Sequence, residues 1–283
     1  MPDLPEVEVV RRDLEKEVVG RRIKDVEIRP GSNAMKVVPR HGRRKEFQEL
    51  LQGAKVEKIG RAGKWLTLEL DNDHSLAVDL GDSACLLKTS SSDGIEPHTH
   101  VVLGWTIGGQ LRYVDPSRRG EVFVAPTAEL DPDELRGPGL DPLDNQHPPT
   151  WQEFSDMLEK REETLKEVLL DDAFIVGLGD VYSDEVLWTA ALRWDRPGTT
   201  LGSQDVRRLY RALAETLQEA VKARGTTLGE SGFRDLHGHG GGFQTEIKVF
   251  EREGEPCRRC RHTLARAECG PGRFTYFCPQ CQA

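Results

Sequence analysis

Apolar positions recur with two different periods along this 283-residue chain. Between residues 7 and 19, Val10, Leu14 and Val18 fall about one helical turn apart, with Arg11, Arg12, Glu15 and Lys16 on the other faces. This spacing predicts a helix, which Gly20 stops. From there to about residue 130 the period shortens to two. Alternation at 22–27, 54–70, 75–80, 84–88, 100–106, 110–114 and 121–124 predicts short strands, with a hairpin turn at 60–63. So many short strands predict a sandwich. Residues 131–149 hold five prolines and two glycines with little periodicity, which predicts an interdomain linker. Helical spacing returns at 150–161, 163–171, 181–191 and 203–224. A Gly-rich loop follows at 238–242 and a predicted strand at 243–252. The class is therefore α+β, with two domains and a small appended module.

Composition qualifies this picture. No run of about 18 apolar residues occurs, and the acidic start lacks the basic and apolar regions of a signal peptide, so a cytosolic protein with no membrane partner is expected. The net charge of −9 counts against a polyanion partner, because such binding is driven by Lys and Arg displacing counterions. The average hides a division. Residues 11–64 carry 16 Lys and Arg against 8 Asp and Glu, residues 231–283 carry 8 against 6, and residues 127–185 carry 4 against 17. Basic ends leave a polyanion partner open, although charge runs are commonly solvated faces.

Five of the six cysteines lie in the last 27 residues, four of them in two close pairs. Cys257 and Cys260, then Cys278 and Cys281, form two CxxC knuckles that can turn four thiolates toward one structural Zn2+ ion, leaving no open coordination position for catalysis. Cys85 and Cys269 read as incidental. Between the knuckles, residues 272–277 alternate as a strand that carries Arg273, either a phosphate-facing cation or a solvated charge. Further back, residues 165–182 read as helix, two-glycine turn and helix. The amides opening the second helix would face an anion such as phosphate, or Asp180 would cap them. The spacing does not choose.

The first eight residues crowd two prolines and three carboxylates into a terminus. With Met1 removed, Pro2 is a free secondary amine beside Asp3. An α-amino group titrates near pH ~8, which leaves roughly a tenth of it nucleophilic at neutral pH and opens a route to an iminium intermediate. The same residues also suit a helix start.

These blocks, in order, resemble the formamidopyrimidine-DNA glycosylase and endonuclease VIII (Fpg/Nei) family of base-excision repair enzymes. The resemblance covers nearly the whole chain. It rests on residues 2–8, 63–66, 112–116, 176–182, 225–228 and the cysteine module, and Leu4 favours the formamidopyrimidine branch. It implies an N-terminal β-sandwich with flanking helices over residues 1–130, the linker at 131–149, a helix–two-turn–helix domain at 150–230, and a lid loop with a β-hairpin zinc finger at 231–283. It also implies a monomer of bacterial type, nucleoid-associated, acting on double-stranded DNA that contains damaged bases or abasic sites. Pro2 would attack C1′ and form a Schiff base, Asp3 would protonate the sugar ring oxygen, and Lys64 would hold phosphate. DNA contacts would come from His98, Arg118, Arg119, Lys166, Asp180 and Arg273. Damaged bases would be flipped from the stack and covered by the loop around Ser231, His237 and His239.

The chain departs from that pattern at defined places. Asp3 replaces a glutamate and is shorter by one C–C bond, ~1.5 Å. Misplacement on the order of 1 Å can cost about 10²-fold in rate. Asp82, Ser117 and Arg119 stand where the family inserts a Met-Arg-Phe wedge. Asp79 and Asp180 stand where it has a histidine and an asparagine that face phosphates. The rival to a glycosylase with abasic-site lyase activity is thus a catalytically reduced homologue that binds damaged DNA or a protein. A zinc-ribbon scaffold with no nucleic-acid role is the third reading.

Overall fold

A computed structural model describes residues 2–29, 34–229 and 232–282. Met1, on which the chemistry of Pro2 depends, and Ser231, where the expected lid begins, lie outside them. The chain forms two compact units, Met1–Arg136 with Ala223–Gly242, and Gly137–Lys222 with Phe243–Ala283.

In the first unit, α1 (Leu4–Val18) begins three residues earlier than apolar spacing predicts, because Asp3 and Glu6 form a capping box and Pro5 suits a first turn. Val7, Val10, Leu14 and Val18 make its buried stripe. Eight strands follow: β1 (Ile23–Ile28), β2 (Val56–Ala62), β3 (Trp65–Leu70), β4 (His74–Asp79), β5 (Cys85–Thr89), β6 (Thr99–Trp105), β7 (Gln110–Val114) and β8 (Glu121–Pro126). They make two antiparallel sheets, ordered β1-β6-β7-β5 and β2-β3-β4-β8. Side chains of both sheets and of α1 share one hydrophobic core. This is the expected sandwich.

Two local expectations change. The β2–β3 turn is Gly63-Lys64, not 60–63. Gly60 lies within β2 opposite Thr67, where an added Cβ would meet Thr67 Oγ1 at 2.5 Å. The helix α2 (Arg44–Leu51) was not predicted, since its short apolar face consists of Phe47 and Leu51 with Leu50 beside them. Part of the predicted linker is also ordered, as the helix α3 (Pro132–Arg136).

The second unit carries α4 (Trp151–Leu158) and α5 (Leu165–Leu170), each opened by a Thr–Glu capping box, then α6 (Asp180–Ala190) and α7 (Ser203–Lys222). α6 packs against α7 and is buried on nearly every side, which is why it shows no polar stripe. The predicted strand at 243–252 is absent. A 3-10 turn at Phe243–Thr245 replaces it, and the amides of Lys248, Val249 and Phe250 all donate to the buried Glu185 carboxylate at 2.9, 2.9 and 3.1 Å. A side chain has taken the donors that a sheet ladder would use. The unit ends in the hairpin β9 (Ala265–Gly270) and β10 (Arg273–Phe277). No helix among the described residues is long and apolar enough to cross a membrane.

Candidate active site

Pro2 is buried at the head of α1, and Asp3, also buried, is the N-cap. The Asp3 amide donates to Glu6 Oε2 at 3.0 Å, while Glu6 Oε1 accepts the Thr226 amide at 2.6 Å. One buried carboxylate thus ties the helix start to the 223–242 segment. Gly225 permits the approach, since its φ is +80° and a Cβ there would lie 2.7 Å from Glu6 Oε1. Lys64 occupies the β2–β3 turn after Gly63, whose φ is +56°. Pro2, Asp3 and Lys64 all belong to the first unit, where α1 packs on both strands of this hairpin.

Asp79 lies across the β3–β4 ladder from Trp65, the neighbour of Lys64. Burial pushes its carboxyl above the usual range, against the Gly81 amide at 3.0 Å and the charge of Lys64. The following turn is organised by buried Asp115, which accepts from Ser117 Oγ at 2.8 Å, the Arg118 amide at 2.9 Å and the Gly120 amide at 3.0 Å. The Asp115 amide donates to the His98 carbonyl at 3.0 Å. His98 and Arg118 are both left-handed, at φ +63° and +57°, and both exposed. Asp115 therefore holds two of the residues expected to meet DNA, Arg118 through its carboxylate and His98 through its backbone amide. Arg119 is exposed as well, and its Nη1 meets Asp82 Oδ2 at 2.6 Å. Two of the altered wedge positions form an ion pair.

Residues 232–242 are anchored at several points. Leu236 is buried in the core, Arg224 bridges Asp13 and Asp235, and Arg234 pairs with Glu96 at 3.0 Å. Asp235 Oδ1 accepts the amides of His237 and His239, both at 2.9 Å.

In the second unit, Lys166, Asp180 and Arg273 come together. Asp180 Oδ1 is 3.6 Å from both Lys166 Nζ and Arg273 Nε. Asp180 is the first residue of α6 rather than its cap, a position where the helix dipole favours an acid. Lys166 is fully buried and donates to Ser183 Oγ at 2.8 Å, Asp184 Oδ1 at 2.7 Å and the Asp180 carbonyl at 3.1 Å. Its ammonium is engaged inside the unit and holds the Asp180 carbonyl at the start of α6. Asp184 also accepts Thr275 Oγ1 at 2.6 Å and the Tyr276 amide at 2.8 Å, which joins the finger hairpin to α6.

The four knuckle sulfurs lie within 4.8 Å of one another, with Cys260–Cys278 at 3.4 Å and Cys257–Cys281 at 4.0 Å. A tetrahedron with Zn–S bonds of about 2.3 Å has S–S edges of about 3.8 Å, so the donor set fits that ion. Amides of Arg259 and Cys281 donate to Cys257 Sγ and Cys278 Sγ, as thiolate knuckles require.

Sequence reasoning assigned no role to Glu6, Glu8, Arg61, Asp115, Asp184 or Glu185. All stand inside or beside the blocks that carried the resemblance. Their signal would have been charge at positions where periodicity asks for burial.

Comparison with known proteins gives two family-model matches. Residues 1–122 match the formamidopyrimidine-DNA glycosylase N-terminal domain, and residues 139–231 match its H2TH domain. Curated relatives include the formamidopyrimidine-DNA glycosylases of Pelotomaculum thermopropionicum, 38% identical over 100% of this chain and 99% of that protein, and of Bacillus cereus, 36% identical with the same coverage. Among solved structures, the Lactococcus lactis Fpg in complex with abasic-site DNA is similar at a TM-score of 0.86 and 29% identity, over all of both chains. The same enzyme with DNA containing N7-benzyl-Fapy-dG matches at 0.86 and 30% identity, over 99% of both chains.

Proposed function

Since the chain belongs to the formamidopyrimidine-DNA glycosylase family, we propose that it is a base-excision glycosylase and abasic-site lyase for oxidised purines or related lesions in duplex DNA. The observation that carries this reading is the start of α1, where Pro2 and Asp3 are buried and the Asp3 amide is held by a Glu6 carboxylate that also grips Thr226. A terminus held this firmly can present a nucleophile in one orientation.

With Met1 removed, the Pro2 nitrogen lone pair forms a bond to C1′ as the bond from C1′ to the base breaks. Asp3 protonates the ring oxygen, the sugar opens, and the iminium remains on Pro2. Loss of a C2′ proton expels the 3′ phosphate by β-elimination, and δ-elimination then expels the 5′ phosphate. Lys64 holds phosphate near these steps, and Arg273 clamps the backbone. Cys257, Cys260, Cys278 and Cys281 hold one structural Zn2+ that keeps the finger hairpin in shape. The protein works as a monomer.

A second reading, a homologue that binds damaged DNA with reduced chemistry, is favoured by the carboxylates. Asp82 neutralises Arg119, and Asp180 sits 3.6 Å from Arg273. One experiment separates the two. Incubation of the processed protein with an abasic-site or oxidised-base duplex and borohydride is expected to yield a covalent adduct that Pro2→Gly abolishes. No adduct with either duplex leaves the binding reading.

A further inference from the structure

Glu8 is 1% exposed, yet it receives three arginines. Arg11 and Arg12 reach it from one turn along α1, with Nε donating at 3.0 and 2.8 Å. The third comes from another element. Arg61 on β2, its side chain 3% exposed, donates through Nε to Glu8 Oε2 at 3.0 Å and through Nη1 to the Gly63 carbonyl at 2.9 Å. Two cations from the same helix already neutralise the carboxylate at its solvent edge. Burying a third guanidinium is costly, and as packing an apolar pair would serve equally well. What apolar packing cannot do is hold a carbonyl at a set direction.

We propose that the Glu8–Arg61 pair positions Lys64: it pins the Gly63 carbonyl, and with it the turn that bears Lys64, to the helix that starts at Pro2. The inference rests on the roles given above to Pro2 and Lys64. Arginine suits this task because its planar fork serves two acceptors in fixed directions, Glu8 on one side and Gly63 on the other. The left-handed Gly63 and the Ala62–Trp65 pair at the strand ends leave the turn short, so fixing one carbonyl fixes the Lys64 backbone. Register between the amine and the phosphate-holding cation is then set within one buried network rather than by two independent loops.

The test uses the full chain with Pro2 amino-terminal. Arg61→Lys keeps the charge beside Glu8 but cannot grip both acceptors at once. It is expected to slow single-turnover adduct formation on abasic DNA about 10- to 100-fold while duplex affinity and melting temperature change little. In a Lys64→Ala background the same substitution is expected to cost less than about 2-fold, since the residue it positions is gone. An equal cost in both backgrounds overturns the proposal. Glu8→Gln repeats the cycle from the other side of the pair and should show the same loss of additivity. NMR of the Lys64 backbone amide and side-chain Cε–H signals, without DNA, supplies a readout free of catalysis. A shift of both in Arg61→Lys supports the pin, and unmoved signals overturn it. Wild-type protein that traps no adduct would reject the lyase reading of Pro2, while the NMR arm would still decide the positioning.

Discussion

At Asp79, burial raises the carboxyl above its usual range, Glu121 and Asp115 add to that, and the Gly81 amide and Lys64 oppose it. A carboxyl with a raised folded pKa favours folding in its protonated form. That contribution is complete below the unfolded value and is lost as pH rises through the folded one. Asp79→Asn keeps an acceptor for the Gly81 amide and removes the charge. It is expected to stabilise the protein by about 0.2–1 kcal/mol at pH 8, and by less at pH 4, in urea unfolding. Duplex affinity should rise at pH 8 as a negative charge beside Lys64 disappears. A stability gain equal at both pH values would reject this account. In the sequence, position and spacing single out Pro2, Asp3, Arg273 and the four thiolates, while Lys64 and Asp79 are singled out by the resemblance to the Fpg/Nei family. Glu8, Arg61 and Asp115 are not. A buried charge looks like a surface charge in one dimension, and only its partners, 53 positions away in the case of Glu8 and Arg61, reveal the difference.

At the scale of elements, period-two alternation located all eight strands of the sandwich to within a few residues, because strands such as β3 bury every second residue, although β6 is buried at all seven positions. It failed at 243–252, and Glu185 is the reason. This α6 residue is fully buried and its carboxyl is raised by burial, with the three backbone amides of 248–250 opposing the rise. Hydropathy cannot anticipate a segment whose donors are satisfied by a side chain more than 60 positions away. Glu185→Ala leaves three amides without that acceptor, each costing about 1–3 kcal/mol if it stays dry. The variant is expected to lose roughly 3–5 kcal/mol, read as a lower urea midpoint, and faster hydrogen exchange at Lys248, Val249 and Phe250. Unchanged exchange at those amides would mean that other groups hold the segment. Glu185→Gln, which retains one good acceptor, should lose less.

Across the whole molecule, the chain leaves the first unit at Arg136 and returns to it at Ala223–Gly242, so that unit is not contiguous in sequence. The prolines of 131–149 predict a linker near this exit, but nothing in composition predicts the return. The returning segment supplies Leu236 to the core, the Thr226 amide to Glu6, and Arg224 and Asp235 to the Asp13 network. A fragment of residues 1–136 would lose the Leu236 side chain from its core, the Arg224 partner of Asp13 and the Thr226 amide that Glu6 accepts, while Glu6 keeps the Asp3 amide. Breaking a buried ion pair costs about 3–5 kcal/mol, and a domain has only about 5–15 kcal/mol in total. That loss together with an open core site is enough to unfold it. The 1–136 fragment is expected to show no cooperative thermal transition, whereas the same fragment joined by a flexible linker to residues 223–242 should recover one. Arg224→Ala in the joined form tests the charge term alone and should lower its midpoint. A cooperative transition in the bare fragment would show that the sandwich core outweighs the loss of Leu236 and of the Asp13–Arg224 pair.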